Sequence, residues 1–190
     1  MPVGYLVRHG RTALNAQGRL RGLADPPLDR IGEQQSSAAA AVLSVLPVHV
    51  VVSSPLRRAQ HTAAVIAQIA GVPLAVDARL TDRDYGQWTG HRRSDVEREW
   101  GTVDAAPGVQ PSTEVRERAM GALNEWADVV DHHPGRALVV VSHDAVIRPV
   151  LAHIDPDVGP VAAGEGTYQV LKRTNGQWSI TALDQQPTTH

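Results

Sequence analysis

The sequence predicts an α/β protein: a mostly parallel central sheet with helices on both faces. Two observations predict it. Short apolar segments rich in β-branched residues (Val3 to Val7, Val48 to Val52, Val72 to Val76, Ala137 to Val141) alternate with longer stretches of helical character. Connections of this strand–helix–strand kind place neighbouring strands parallel. The helical stretches also carry start and stop signals, clearest in "SSPLRRAQHTAAVIAQIAG". There Ser53 or Ser54 suits a cap, Pro55 the first turn and Gly71 the far end.

In order, Val3 to Val7 reads as a buried strand, followed by polar residues and the turn "DPPLDR". The alanine-rich span from Leu28 to about Leu46 favours helix. Residues 92 to 100 read as a short polar helix, and Ser112 can cap the helix after "DAAPGVQP". In that helix Val115, Ala119, Leu123, Trp126 and Val130 share one face. "SHDAVIRPVLAHI" is a further helix, with Pro149 expected to bend it near its start. Thr167 to Leu171 and Trp178 to Ala182 flank Asn175-Gly176, a hairpin signal.

The 190 residues suit a single domain, expected over residues 1–184, with 185–190 a loose tail. A hydrophobic content of 42% and a formal charge of -2 give no strong field for nucleic acid or anionic membranes, so neither is an expected partner. The absence of cysteine excludes disulfides, thiolate catalysis and cysteine-ligated metal. No apolar run is long enough for a bilayer and the N-terminus lacks a signal-peptide pattern, so a cytoplasmic location is expected. Lys172 is the only lysine, which makes nearly all basic groups planar guanidinium forks suited to oxyanions.

The strand ends carry the chemistry. The first ends in "RHGR", the second in "SSPLRRA" and the fourth in "SHD". In open α/β sheets ligands collect beyond the carboxyl ends of strands. Arg8, His9, Arg57 or Arg58, His143 and Asp144 would therefore gather over one edge, beside helix N-termini that favour anions. Phosphate is the expected ligand. Helical geometry alone does not choose between Arg57 and Arg58. Gly10 would allow close approach to a ligand or a positive φ.

"LVRHGRT", "SSPLRRAQHTA", "DYGQWTG" and "VVSHDAVIR", in this order, resemble the histidine phosphatase superfamily, also called phosphoglycerate mutase-like. The resemblance spans Val3 to about Ala182 and implies a three-layer α/β/α sandwich. It implies that His9 is a nucleophile forming phosphohistidine, and that Arg8, Arg58 and His143 hold phosphoryl oxygens. It selects Arg58 because the basic residue of that motif directly precedes alanine, here Ala59. Asn15 matches a polar residue lining the site. The implied reaction needs no cofactor and no metal: arginines supply the charge, and the substrate is a small phosphorylated metabolite.

The proton donor is less uniform. The mutase branch of the family usually carries glutamate where this chain has Asp82, and glycine where it has Asp144. The acid phosphatase branch uses a His-Asp pair, as in His143-Asp144. Asp82 is favoured as the general acid, with Asp144 the competitor, a helix cap or an orienting group for His143. If both face the pocket, their repulsion should raise one pKa. Relatives often have glutamine at the position of Arg21. This arginine either recognises a second anionic group or is a solvated loop residue. Arg83, Arg92 and Arg93 read as surface charge, and His61 as a possible neighbour of the pocket. Asp84, Tyr85, Trp88 and Gly90 read as loop-shaping. His9, His143, Asp82 and Asp144 could in principle ligate a metal, but adjoining arginines argue against it.

The function expected is metal-independent hydrolysis of small phosphomonoesters. One alternative is a phosphoglycerate mutase using the same pocket. The other is a phosphate-binding or phosphoprotein-docking module with little turnover.

Overall fold

The computed structural model describes residues 2–187. The strands are β1 (Val3–Arg8), β2 (Val48–Ser53), β3 (Leu74–Val76), β4 (Ala137–Ser142), β5 (Tyr168–Thr174) and β6 (Gln177–Gln185). They form one sheet in the order β3-β2-β4-β1-β5-β6. The first four strands of that order run parallel, and the β5–β6 hairpin adds antiparallel to β1. Asn175 and Gly176 turn the hairpin with φ of 52° and 79°, the pair of positive values that a tight two-residue turn requires.

The period of two explains the layers. Side chains alternate across a strand, so each continuous apolar run divides between two cores. Leu6, Val50, Val52, Leu138 and Val140 pack against α5 (Ser112–Asp131) and α6 (Asp144–Ile154). Val7, Val51, Val139 and Val141 pack against α2 (Arg30–Leu43) and α3 (Arg57–Ala70) on the other face. This is the three-layer sandwich. Leu20, Tyr85, Val96, Val103 and Ala106 form a third, smaller cluster, with Val96 supplied by α4 (Arg93–Trp100). A four-residue helix, α1 (Ala13–Ala16), follows β1. No helix among the described residues is long and apolar enough to cross a membrane.

Several element ends differ from expectation, each for a local reason. α2 begins at Arg30 rather than Leu28 because the Asp29 carboxylate caps it, accepting from Gly32 N at 2.9 Å. Neither Ser53 nor Ser54 caps α3. Leu56 holds that position without a side-chain bond, and Ser54 is engaged elsewhere. Gly71 closes α3 with φ of 65°, as expected. Ser112 is the first residue of α5, not its cap. Pro149 lies inside α6, which continues to Ile154. β3 starts at Leu74, and β6 extends to Gln185, the first residue of the expected tail; residues 188–190 lie outside the described residues.

Candidate active site

Strand register brings the histidines together. Arg8 on β1 pairs with Ser142 on β4, and Ser53 on β2 with Val141 on β4. The next residues, His9, His143 and Ser54, therefore emerge side by side beyond the carboxyl ends of three adjacent strands. His9 N donates to Ser142 O at 3.1 Å and Ser54 N to Val141 O at 3.0 Å, continuing the ladders. The two imidazoles are fully buried, with ring centroids 5.0 Å apart.

His9 Nδ1 lies 2.6 Å from the Gly10 carbonyl oxygen. A carbonyl only accepts, so Nδ1 carries the proton and Nε2 keeps its lone pair. Arg58 Nε donates to that Nε2 at 3.2 Å. Burial, then the charges of His143, Arg58, Arg8 and Arg21, hold the His9 pKa well below the usual imidazole range. At neutral pH the ring is uncharged.

Gly10 serves a different purpose from the one expected. It has no positive φ, and its close neighbour is the first turn of α2: a Cβ there would lie 2.3 Å from Gly32 O. Gly32 is the reciprocal contact, 2.1 Å from Arg11 O by the same construction. With Gly10 N donating to Thr62 Oγ1 at 3.1 Å, this seats the His9 loop directly on α2 and α3.

The arginines are buried and individually tethered. Arg58 is wholly enclosed and donates to Ala24 O, Gly22 O and Asp82 Oδ2 at 2.7, 2.9 and 2.8 Å. Arg57 is exposed, so the structure separates the two as the motif does. Arg8 donates to Ala163 O at 2.7 Å and Glu165 Oε1 at 2.8 Å, and lies 3.8 Å from Asp144 Oδ1. Arg21 is neither solvated nor a free cation at the rim: it is buried and donates to Asp144 Oδ1 at 2.6 Å. Buried side-chain nitrogens without a hydrogen-bond partner, among the described residues, include Arg8 Nε, Arg21 Nε, His143 Nδ1 and Asn15 Nδ2. Such atoms are rare in folded proteins and suit a ligand rich in acceptors. The Asn15 Oδ1 accepts from Thr12 N and Oγ1, in a capping box for α1.

The two aspartates have opposite environments. Asp82 is fully buried, accepting from Arg83 N and Arg58 Nη2 at 2.8 Å each, with Oδ2 3.6 Å from His143 Nδ1. Burial raises its pKa, outweighing Arg58 and Arg21, and the charge of Asp144 adds to the rise. Asp144 opens α6 but does not cap it, since His143 holds the cap position. Burial alone would raise its pKa too, but Arg8 and Arg21 prevail and hold it well below the usual carboxylate range. His143 is held by Ser54 Oγ, 2.8 Å from Nε2, and burial with the nearby arginines keeps its ring neutral.

Some residues were not legible in advance. Arg83 is buried rather than surface charge, donating to Gln110 O at 2.6 Å and Asp104 Oδ1 at 2.7 Å. Arg118 grips the carbonyls of Thr81 and Asp82 at 2.6 and 3.0 Å and so fixes the Asp82 loop. Glu165 and Arg118 meet the site from distant chain positions with no motif to mark them. Ser54 stands at a strand end, and the rule that found His9 could have found it. His61 is exposed. Among the described residues no group of three or more His, Asp or Glu side chains has the arrangement of a metal site.

Residues 4–186 match the family model of the histidine phosphatase superfamily, branch 1. The chain is 37% identical over 162 residues to a probable phosphoglycerate mutase GpmB of Cronobacter sakazakii, covering 79% of this chain and 73% of the relative. It is 30% identical over 178 residues to the uncharacterized phosphatase PhoE of Bacillus subtilis, covering 92% and 90%. In structure it is similar to a mycobacterial glucosyl-3-phosphoglycerate phosphatase in complex with VO3. That likeness has a TM-score of 0.86 at 24% identity, covering 97% of this chain and 99% of that one, and bears on fold alone. The chain therefore belongs to branch 1 of the histidine phosphatase superfamily.

Proposed function

We propose that the chain hydrolyses small phosphorylated metabolites in the cytoplasm through a phosphohistidine on His9 Nε2. The observation that carries this reading is the state of His9: neutral, protonated on Nδ1, with its Nε2 lone pair among buried guanidinium groups. An uncharged imidazole is the nucleophilic form. In the first step Nε2 bonds to phosphorus, and the bond from phosphorus to the ester oxygen breaks. The Nδ1 proton stays on the ring, and the Gly10 carbonyl stabilises the imidazolium that results.

Arg8 and Arg58 hold the phosphoryl oxygens, with Arg21 behind Asp144 and Asn15 Nδ2 as a further donor. For His143, the tautomer with hydrogen on Nδ1 satisfies its surroundings: Ser54 donates to Nε2, and the Nδ1 proton faces the reacting group and Asp82. Asp82 gives its proton to the leaving oxygen. As a carboxylate it then takes a proton from the water that attacks phosphorus, and the Nε2–phosphorus bond breaks. The opposed environments of Asp82 and Asp144 support this division: the group pushed towards the protonated form donates, and the group held ionised anchors cations.

A mutase reading is favoured by the Cronobacter relative, a probable phosphoglycerate mutase. It requires a cation to receive the second anionic group of the substrate. Arg21, the residue best suited to that, is already bound to Asp144, so hydrolysis is the better reading. The test is phosphate release from p-nitrophenyl phosphate by the native chain and by His9→Ala. Release abolished in the variant, with a phosphorylated His9 trapped in the native chain by rapid quench into alkaline denaturant, is the expected result. Equal release by both, or conversion of 3-phosphoglycerate to its isomer faster than its hydrolysis, would overturn it.

A further inference from the structure

We propose that Asp184, late in the chain and outside every motif, is a positioning residue for Arg8 and acts through the Ala163 carbonyl. This rests on the reading of Arg8 as a holder of phosphoryl oxygens. Among the described residues three non-glycine residues have positive φ: Asn175 in the hairpin turn, Ala163 at 43° and Asp184 at 48°. Alanine gains nothing locally from that conformation, so its surroundings impose it. Ala163 and Asp184 are bonded to each other. Asp184 Oδ2 accepts from Ala162 N at 2.9 Å, and its Oδ1 accepts from Ala163 N at 2.8 Å. Held in this way, Ala163 turns its carbonyl to Arg8 Nη1, 2.7 Å away.

Asp184 is itself aimed. Gln169, wholly buried on β5, binds it twice: Nε2 donates to Asp184 Oδ1 at 3.1 Å, and Oε1 accepts from Asp184 N at 2.7 Å. Between the pairs Tyr168–Gln185 and Val170–Ala182, β6 carries one residue more than β5. A bulge of this kind re-aims a side chain, here towards the backbone of residues 162 and 163. The same segment holds Arg8 at two further points. Glu165 Oε1 accepts from Nη2 at 2.8 Å, and Thr167 O accepts from the backbone N at 3.0 Å. A planar guanidinium fixed at both Nη1 and Nη2 has one orientation. Its buried Nε–H, which has no protein partner, is therefore fixed in direction as well. With the Ala163 carbonyl released, Arg8 keeps its charge but loses that alignment, and misplaced groups cost rate steeply.

The test measures kcat/KM for p-nitrophenyl phosphate and the inhibition constant of inorganic phosphate. The variants are Asp184→Ala, Asp184→Asn and Arg8→Lys, with each Asp184 variant also combined with Arg8→Lys. Thermal melts set a temperature at which each is folded. Asp184→Ala is expected to lower kcat/KM by about tenfold and to raise the phosphate inhibition constant by about threefold or more. Asp184→Asn keeps an oxygen for Ala163 N but sets an amide donor against Ala162 N, so a smaller loss of about threefold is expected. It carries the comparison alone where Asp184→Ala does not fold. In the Arg8→Lys background no guanidinium reaches Ala163 O, and either substitution should change kcat/KM by less than about twofold. A purely structural Asp184 would give the same loss in both backgrounds. That result, or native constants in the folded variants, would overturn the proposal and leave the hydrolase reading intact. Undiminished hydrolysis by Arg8→Lys would instead overturn the role given to Arg8, and with it the proposal; absence of hydrolysis by the native chain would overturn the function itself.

Discussion

Replacing Asp82 with asparagine separates the two roles that the site assigns to its aspartates. An alkoxide is a poor leaving group without a proton, whereas p-nitrophenolate needs almost none. Loss of a general acid should therefore lower kcat for an alkyl phosphate by about 10²- to 10⁴-fold and leave the nitrophenyl ester nearly untouched. The structural damage is limited. Asp82 accepts two bonds, from Arg83 N and Arg58 Nη2. Asparagine retains one acceptor oxygen, so one N–H loses its partner at about 1–3 kcal/mol, while Arg58 keeps Gly22 O, Ala24 O and His9 Nε2. The pH profile adds a second signature. Because the Asp82 pKa is raised and the proposed mechanism requires its protonated form, native kcat/KM for the alkyl ester should fall as pH rises through that value. The limb at low pH, set by protonation of His9 below its depressed pKa, should persist in the variant while the upper limb disappears. Steady-state kinetics on both esters across pH, with Asp144→Asn in parallel, makes the measurement. If Asp82→Asn stays within about threefold on the alkyl ester while Asp144→Asn loses about 100-fold, the assignment is wrong and the acid is Asp144.

Gly32→Ala places a methyl group 2.1 Å from Arg11 O, so the His9 loop must move; about 1–3 kcal/mol of lost stability in urea titration should accompany a drop in kcat. Asp77→Ala removes acceptors from Arg79 N, Nε and Nη2 and from Trp126 Nε1, at about 1–3 kcal/mol. The Arg79 side chain, then burial in opposition and the backbone N–H of Arg79, leave the Asp77 pKa lowered to about 2. Its stabilisation is thus present above the unfolded carboxylate range and lost as pH falls through about 2, a dependence the variant should lack. Arg21→Gln leaves Asp144 with only the more distant Arg8 and should destabilise by about 3–5 kcal/mol in thermal denaturation. Adding Asp144→Asn should restore about 1 kcal/mol or more, and strict additivity would refute the pairing.

What the sequence made legible follows from the range of the physics involved. β1, β2 and β4 announce themselves because a buried parallel strand is apolar over nearly its whole length; residues 3–7 and 137–141 are, and 48–52 are broken only by His49. Where such strands end, register does the rest, which is why His9 and His143 could be placed together from chain positions 134 residues apart. Helix starts were less legible. Ser54 has the composition of a cap, but its hydroxyl is drawn to His143 by a tertiary contact that no local pattern encodes. Arg83 as surface charge and the solvated alternative for Arg21 fail for the same reason: arginine is ordinarily exposed, and only the fold supplies the buried acceptors at Gln110, Asp104 and Asp144. Gly10 suggests close ligand approach or a positive φ, but its packing partner Gly32 is not legible, lying in the first turn of a helix, where glycine is usually a liability rather than a contact.

The charges of the site tie Arg21 to Asp144. Each buried guanidinium has its own carboxylate: Arg8 with Glu165 at 2.8 Å, Arg21 with Asp144 at 2.6 Å, and Arg58 with Asp82 at 2.8 Å. A buried arginine without a counter-charge is strongly destabilising, so one member of a pair cannot appear safely without the other. The three pairs are not equivalent once a phosphoryl dianion enters. Under the proposed mechanism Arg8 and Arg58 would turn their charge towards it, and Asp82 would lose the attraction that opposed its protonation. Burial and the charge of Asp144 then act on Asp82 with less resistance, together with the dianion itself. Under the proposed mechanism, substrate binding would drive a proton onto Asp82, while Asp144, secured by Arg21, would stay ionised. On this argument Asp144 acts on catalysis through Asp82, and neutralising it should lower the pH at which the Asp82 limb appears.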